Sequence, residues 1–115
     1  MEELPIIQKT YDLIQWYVPI ANRLPRSHKF TLGDRICNGL YDLFEGLIEA
    51  RYAKQKLTLL SPLNQRLDIL RYQSRMLLDF NLISLQRYDF ACQQLDTIGT
   101  ELGGWIRNRK TREHS

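Results

Sequence analysis

The stretch FTLGDRICNGLYDLFEGLIEARYAK, from Phe30 to Lys54, decides the fold class. Leu32, Ile36, Leu40, Leu43, Leu47 and Ala50 recur at intervals of three and four, which places them on one face of an α-helix, while Asp42, Glu45 and Glu49 fall on the opposite side. Thr31-Leu32-Gly33-Asp34 reads as a capping box, with the Thr31 hydroxyl accepting from a first-turn amide and Asp34 at the positive end of the helix, so the helix is expected to begin near Leu32. A second apolar strip, Cys37, Tyr41, Phe44 and Ile48, runs between the two faces. One stripe suffices to pack a helix into a small domain. The second must widen the core or face another chain, and its four residues are the candidate oligomer interface.

Outward from this segment the chain repeats the same pattern. Helix one is expected from about Ile6 to Leu24, with Ile7, Tyr11, Ile14, Val18 and Ala21 inward and a bend at Pro19; the break Pro25-Arg26-Ser27-His28-Lys29 ends it. Ser61-Pro62 reads as a cap followed by proline at the first helical position, opening helix three with Leu63, Leu67, Leu70, Ser74 and Leu77 on one face and a stop near Asn81. Ser84 caps helix four, whose expected inner stripe is Tyr88, Cys92, Leu95, Gly99, Leu102 and Ile106. No segment alternates with a period of two. Long helices joined by short links must run antiparallel to their neighbours, so the expected fold is all-α, an up-down-up-down four-helix bundle. Residues 1–115 form a single domain with a short basic tail, about 107–115, into which the last helix frays.

Composition narrows the class further. The chain is 43% apolar and 25% charged with a net charge of +3, values ordinary for a globular protein in water. No run reaches the roughly 20 apolar residues of a membrane span, and Met1-Glu2-Glu3 lacks the basic start of a signal peptide, so a cytoplasmic protein is expected. Cys37 and Cys92 show neither zinc-site spacing nor a secreted framework and read as buried thiols.

Catalysis finds little footing. His28 and His114 have no nucleophile or carboxylate partner by spacing, and neither belongs to a Glu-x-x-His motif, so no catalytic residue, metal site or cofactor is assigned. Asp42, Glu45 and Glu49 could share a cation, but a solvated helix face has the same spacing, and the strip could equally meet a basic strip on another subunit. Positive charge gathers in the first break (Arg23, Arg26, Lys29, then Arg35), in helix three (Arg66, Arg71, Arg75) and in the tail (Arg107, Arg109, Lys110, Arg112). The first break and the start of helix three are expected at one end of the bundle. Asp68 and Asp79 can neutralise the helix-three arginines; oligomerisation would multiply each cluster about an axis. Gly103-Gly104-Trp105 reads as a tight helical contact beside a large apolar anchor, and the tyrosines as packing residues.

Leu24-Pro25-Arg26-Ser27-His28-Lys29-Phe30, Leu32-Gly33-Asp34-Arg35-Ile36, the run Leu47 to Lys54 and Leu102-Gly103-Gly104-Trp105-Ile106 together resemble the accessory variability determinant proteins of diversity-generating retroelements. These belong to a broader four-helix-bundle group that includes proteins encoded in intervening sequences of ribosomal RNA genes. The resemblance implies a non-enzymatic homopentamer that binds a reverse transcriptase, its template-repeat RNA and cDNA to support error-prone cDNA synthesis. It also implies that Arg26, Lys29, Arg71 and Arg75 contact nucleic acid or polymerase. The alternative is an oligomeric bundle of the intervening-sequence type with no reverse transcriptase partner.

Overall fold

Four long helices, α1 (Pro5–Asn22), α2 (Asp34–Tyr52), α3 (Leu57–Asp79) and α4 (Leu85–Glu113), make up most of residues 4–113, which the computed structural model describes. No strand occurs among them, and the antiparallel bundle measures 50 × 23 × 20 Å. α1 packs against α2 and α4, and α3 packs against the same two, so α1 and α3 are diagonal partners. The links between helices alternate ends. The first break and the start of α3 therefore lie at opposite ends of the bundle, not at one.

Helix boundaries differ from the sequence reading in two places, for one reason each. Before α2 the chain is already helical: a single turn, Arg26–His28, and a π-helical segment, Lys29–Gly33, lead directly into Asp34. Pro25 sets the start, its carbonyl accepting from His28 N at 2.8 Å and Lys29 N at 2.9 Å. Thr31 is consequently no cap; its hydroxyl donates back to the Ser27 and His28 carbonyls at 3.4 and 3.3 Å. The basic break is thus mostly helix rather than loop.

The second difference is α3, which begins at Leu57 and carries Pro62 inside it, so Ser61-Pro62 is not its start. Lys56 explains the early turn. Its ammonium donates to the carbonyls of Ala50, Arg51 and Ala53 at 2.8, 2.7 and 2.9 Å, closing the end of α2, while its own carbonyl accepts from Leu59 and Leu60 to open α3. One residue therefore stops one helix and starts the next.

The other termini follow the sequence. Asn81 adopts φ 59°, and Leu82 N reaches Leu77 O at 2.8 Å while Asn81 N reaches Leu78 O at 2.9 Å, the paired bonds of a Schellman stop. Ser84 Oγ accepts from Arg87 N at 3.1 Å, capping α4 as expected. α4 then runs unbroken to Glu113 instead of fraying at Arg107, so residues 107–113 of the basic tail are helical.

The core is a column of aliphatic side chains. Leu63, Leu67, Leu70, Ser74 and Leu77 of α3 are buried as the spacing requires, as are Ile36, Leu40, Leu43, Leu47 and Ala50 of α2, whereas Leu32 is half-buried. In α4 the inner set is Ala91, Leu95, Ile98, Leu102 and Ile106, with Tyr88, Cys92 and Gly99 at its margin. α1 is rotated from the expected stripe: Ile6, Thr10, Leu13 and Tyr17 join Ile7 and Ala21 inside, and Tyr11 is 46% exposed. The reason is polar. Thr10 satisfies its hydroxyl on Ile6 O at 2.8 Å, and Tyr17 meets Ser74 Oγ at 2.7 Å across the bundle, so both can be buried without an orphaned group. Cys37 and Cys92 are free and half-buried.

Close helix approach occurs at Gly46, where an added Cβ would lie 2.7 Å from Leu63 Cδ2, and not at Gly103 or Gly104, whose Cβ positions meet only the Arg107 side chain at 3.4 and 3.9 Å. Burial pushes the Tyr17 hydroxyl from 10.0 up to about 12, the Ser74 bond offsetting part of that rise. Because the folded value exceeds the unfolded one, this stabilisation is complete below pH 10 and is lost as pH rises toward 12, worth on the order of 2 to 3 kcal/mol. Denaturant titrations from pH 9 to 12 should show that decline in the wild type and a flatter profile in Tyr17→Phe, which costs about 1 kcal/mol near neutrality.

Candidate nucleic-acid and partner interface

The four residues assigned to nucleic-acid or polymerase contact fall into two separate groups. Arg26 and Lys29 lie at the α1–α2 end of the bundle, where Asn22, Arg23, Leu24 and Phe30 complete a shallow cleft of about 400 Å³ and Lys29 Nζ sits 5.4 Å from the Phe30 ring centroid. Arg71 and Arg75 lie on α3 and border, with Asp68, Tyr72 and Tyr88, a groove of about 330 Å³. The fold does not unite the pairs.

Their local states also differ. Arg71 donates through Nη1 to Asp68 at 2.7 Å and through Nε to Asp96 of α4 at 3.1 Å, and its Nη2 lies so close to Gly99 that an added Cβ there would be 2.7 Å away. It bridges two helices over a glycine. Arg75 is 66% exposed and only loosely paired with Asp79 at 3.7 Å, leaving its charge directed to solvent. Tyr88, at the lip of this groove, has its pKa raised chiefly by a hydrogen bond with the Cys92 thiol.

The candidate oligomer strip is partly covered by its own chain. Cys37, Phe44 and Ile48 are half-buried, Tyr41 is 41% exposed, and Phe44 faces Tyr11 of α1 with ring centroids 6.1 Å apart. Burial, with the Asp34 charge adding a little, raises the Cys37 thiol pKa. A more open apolar row lies on α3: Ile69, Tyr72, Met76 and Phe80, each between 43% and 67% exposed. The sequence reading missed this row. Its spacing of three and four, opposite the leucine face, was the available signal.

His28 stacks on Phe80 with centroids 5.4 Å apart, joining the first break to the end of α3; His114 lies outside the described residues. Asp42 faces Arg66 of α3 at 3.9 Å, and Glu45 and Glu49 point to solvent. Among the described residues no group of three or more His, Cys, Asp or Glu side chains could hold a metal ion, and no helix is long and apolar enough to cross a membrane. One further cluster stands out at the end where the chain enters and leaves: Arg51, Lys56, Arg109 and Arg112 surround Trp105. Trp105 and Arg109 are four apart on α4, a spacing that carried meaning only once the helix was known to continue.

These features define a four-helix bundle whose charge and exposed apolar area lie on its outer faces. The chain belongs to the bAvd-like family, which it matches over residues 4–109. Among solved structures it is similar to a protein of unknown function from the S23 ribosomal protein family of Bacteroides thetaiotaomicron, with a TM-score of 0.81 at 16% identity, covering 89% of this chain and 95% of that one. At that identity the likeness shows the fold. No curated protein matches the chain.

The two arginines of α3 should separate by mutation. Arg71→Ala removes a two-helix bridge and is expected to lower unfolding free energy by about 1 kcal/mol, whereas Arg75→Ala should stay within about 0.5 kcal/mol, both read by chemical denaturation.

Proposed function

We propose that this protein is a non-enzymatic accessory subunit of a diversity-generating retroelement, which binds the reverse transcriptase and its template-repeat RNA and supports mutagenic cDNA synthesis. The family match over residues 4–109 carries the reading. Chemistry belongs to the polymerase; this chain supplies surface. A net charge of +3 is modest, but a closed ring of copies repeats each exposed cation about its axis and raises the field that a polyanion meets.

Homo-oligomer formation, as a pentamer by family, is part of the proposal. Two apolar areas support it: the α1–α2 seam with Tyr11 and Tyr41, and the α3 row of Ile69, Tyr72, Met76 and Phe80. They lie on different faces of the bundle. Contact between unlike faces is head-to-tail and closes into a ring when the rotation permits, whereas a single self-complementary face gives only a dimer.

Phosphate contact makes a quantitative demand. With about four phosphates neutralised, affinity for structured RNA should fall roughly a hundredfold between 50 and 200 mM salt and vary little with base sequence. Filter binding across that salt range checks this, and an affinity indifferent to salt would exclude the mechanism. Light scattering at micromolar concentration should report a multimer, and Met76→Glu, placed on the open α3 row, should reduce it to smaller species without lowering the melting temperature.

A further inference from the structure

The end of the bundle where α1 passes to α2 carries cations that the chain does not neutralise. No acidic residue lies between Asp12 and Asp34, and this stretch brings Arg23, Arg26 and Lys29 to one shallow cleft with Asn22, Leu24 and Phe30. Arg23 and Arg26 are exposed and Lys29 is half-buried. Among the described residues none of the three forms an ion pair or a side-chain hydrogen bond, in contrast to Arg66, Arg71 and Arg75 of α3. Of the acids at this end, Asp34 opens α2 and Asp79 faces Arg75.

Packing holds this corner in place. Leu24 is buried, a Cβ on Gly33 would lie 3.3 Å from Leu24 Cδ1 and 3.4 Å from the Ala21 carbonyl, and His28 stacks on Phe80 of α3. The π-helical segment Lys29–Gly33 departs from α-helical pairing here, and π-helical turns are frequent at functional sites. A backbone fixed in this way loses little freedom when a ligand arrives. Charge is only half of the surface. Phe30 and Phe80 are 59% and 54% exposed, and Leu85, the first residue of α4 at this same end, is 62% exposed. Nucleic-acid interfaces are polar and follow a line of phosphates, whereas apolar anchors bordered by arginine are the composition of a protein contact. Lys29 Nζ over Phe30 and His28 against Phe80 each take a ring face that a stacked base would use.

We infer that this end of the bundle docks an acidic segment of a partner protein, its carboxylates on Arg23 and Arg26 and an apolar side chain against Phe30. Arg pairs with a carboxylate through two parallel hydrogen bonds, and Lys29 adds its charge beside the ring. The inference rests on the accessory reading above, which supplies the protein partner. Of the two partners implied for Arg26 and Lys29 it selects protein, and it leaves RNA to outward cations such as Arg75, repeated in each copy.

Fluorescence anisotropy with two labelled probes separates the partners: a twelve-residue peptide of four Glu-Glu-Leu repeats and a twelve-nucleotide single-stranded RNA. The wild-type protein should bind the peptide about tenfold more tightly than poly-glutamate of equal length, because leucine reaches Phe30. Arg23→Glu combined with Arg26→Glu should weaken peptide binding about tenfold or more, and Phe30→Ser about fivefold, with RNA affinity changed less than about twofold in each. Arg26→Gln, a milder change, should still cost about threefold, and melting curves verify that the variants fold. Peptide binding that is absent, or equal in wild type and variants, would overturn the site, and RNA binding that persists would leave the accessory reading standing. Loss of RNA binding in the charge-reversed variant with the peptide unaffected would reassign the cleft to nucleic acid, and equal loss of both probes would make it a general anion contact; either overturns the inference. Failure of the assembled protein to bind either probe at low salt would overturn both.

Discussion

A single hydroxyl chain in an otherwise greasy column sets the arrangement of the four helices. Ser74 Oγ donates to Leu70 O at 2.8 Å, so it is left to accept from the Tyr17 hydroxyl at 2.7 Å, with both residues almost wholly excluded from water. Aliphatic side chains attract without direction and tolerate small rotations of a helix. A buried hydroxyl does not: turned away from its partner, it carries the full cost of lost hydration. The bond joins α1 to its diagonal partner α3, a pair that otherwise barely touch, and thereby fixes which face of α1 looks inward. Tyr11 is left at the margin and Tyr17 in the centre as a direct result.

That rotation governs the surface as well. With Tyr17 inward, Tyr11 and Phe44 meet across the α1–α2 seam and cover much of the second strip of α2. The most open apolar row is then the outer side of α3, where the inward leucines leave Ile69, Tyr72, Met76 and Phe80 facing water. Charge sorts by the same logic. Arg71 lies on the edge of α3 that faces α4 and becomes a bridge, Arg75 one turn later pairs only loosely with Asp79, and the cations near Trp105 gather because the start of α1, the end of α4 and the α2–α3 link converge there.

Membership in the bAvd-like family says what kind of chain this is, and the likeness to the S23-family structure shows the fold. Neither places a ligand on a residue.

Much of this was legible in the chain. Periodicity fixed the all-helical class, the leucine faces of α2 and α3, the Asn81 stop and the Ser84 cap, because apolar spacing and cap chemistry act over one or two turns and are written locally. The start of α3 at Lys56 was not legible, since its ammonium needs the carbonyls that only the formed end of α2 presents, and the helical turn after Pro25 was hidden because Pro25-Arg26-Ser27-His28-Lys29 reads as a polar break. The inward face of α1, the bridging of Arg71 and the grouping of Arg51, Lys56 and Arg109 about Trp105 were decided by tertiary structure alone. Each joins residues far apart in sequence, and a hydrogen bond or charge contact of that kind exists only after packing has brought its two ends within reach.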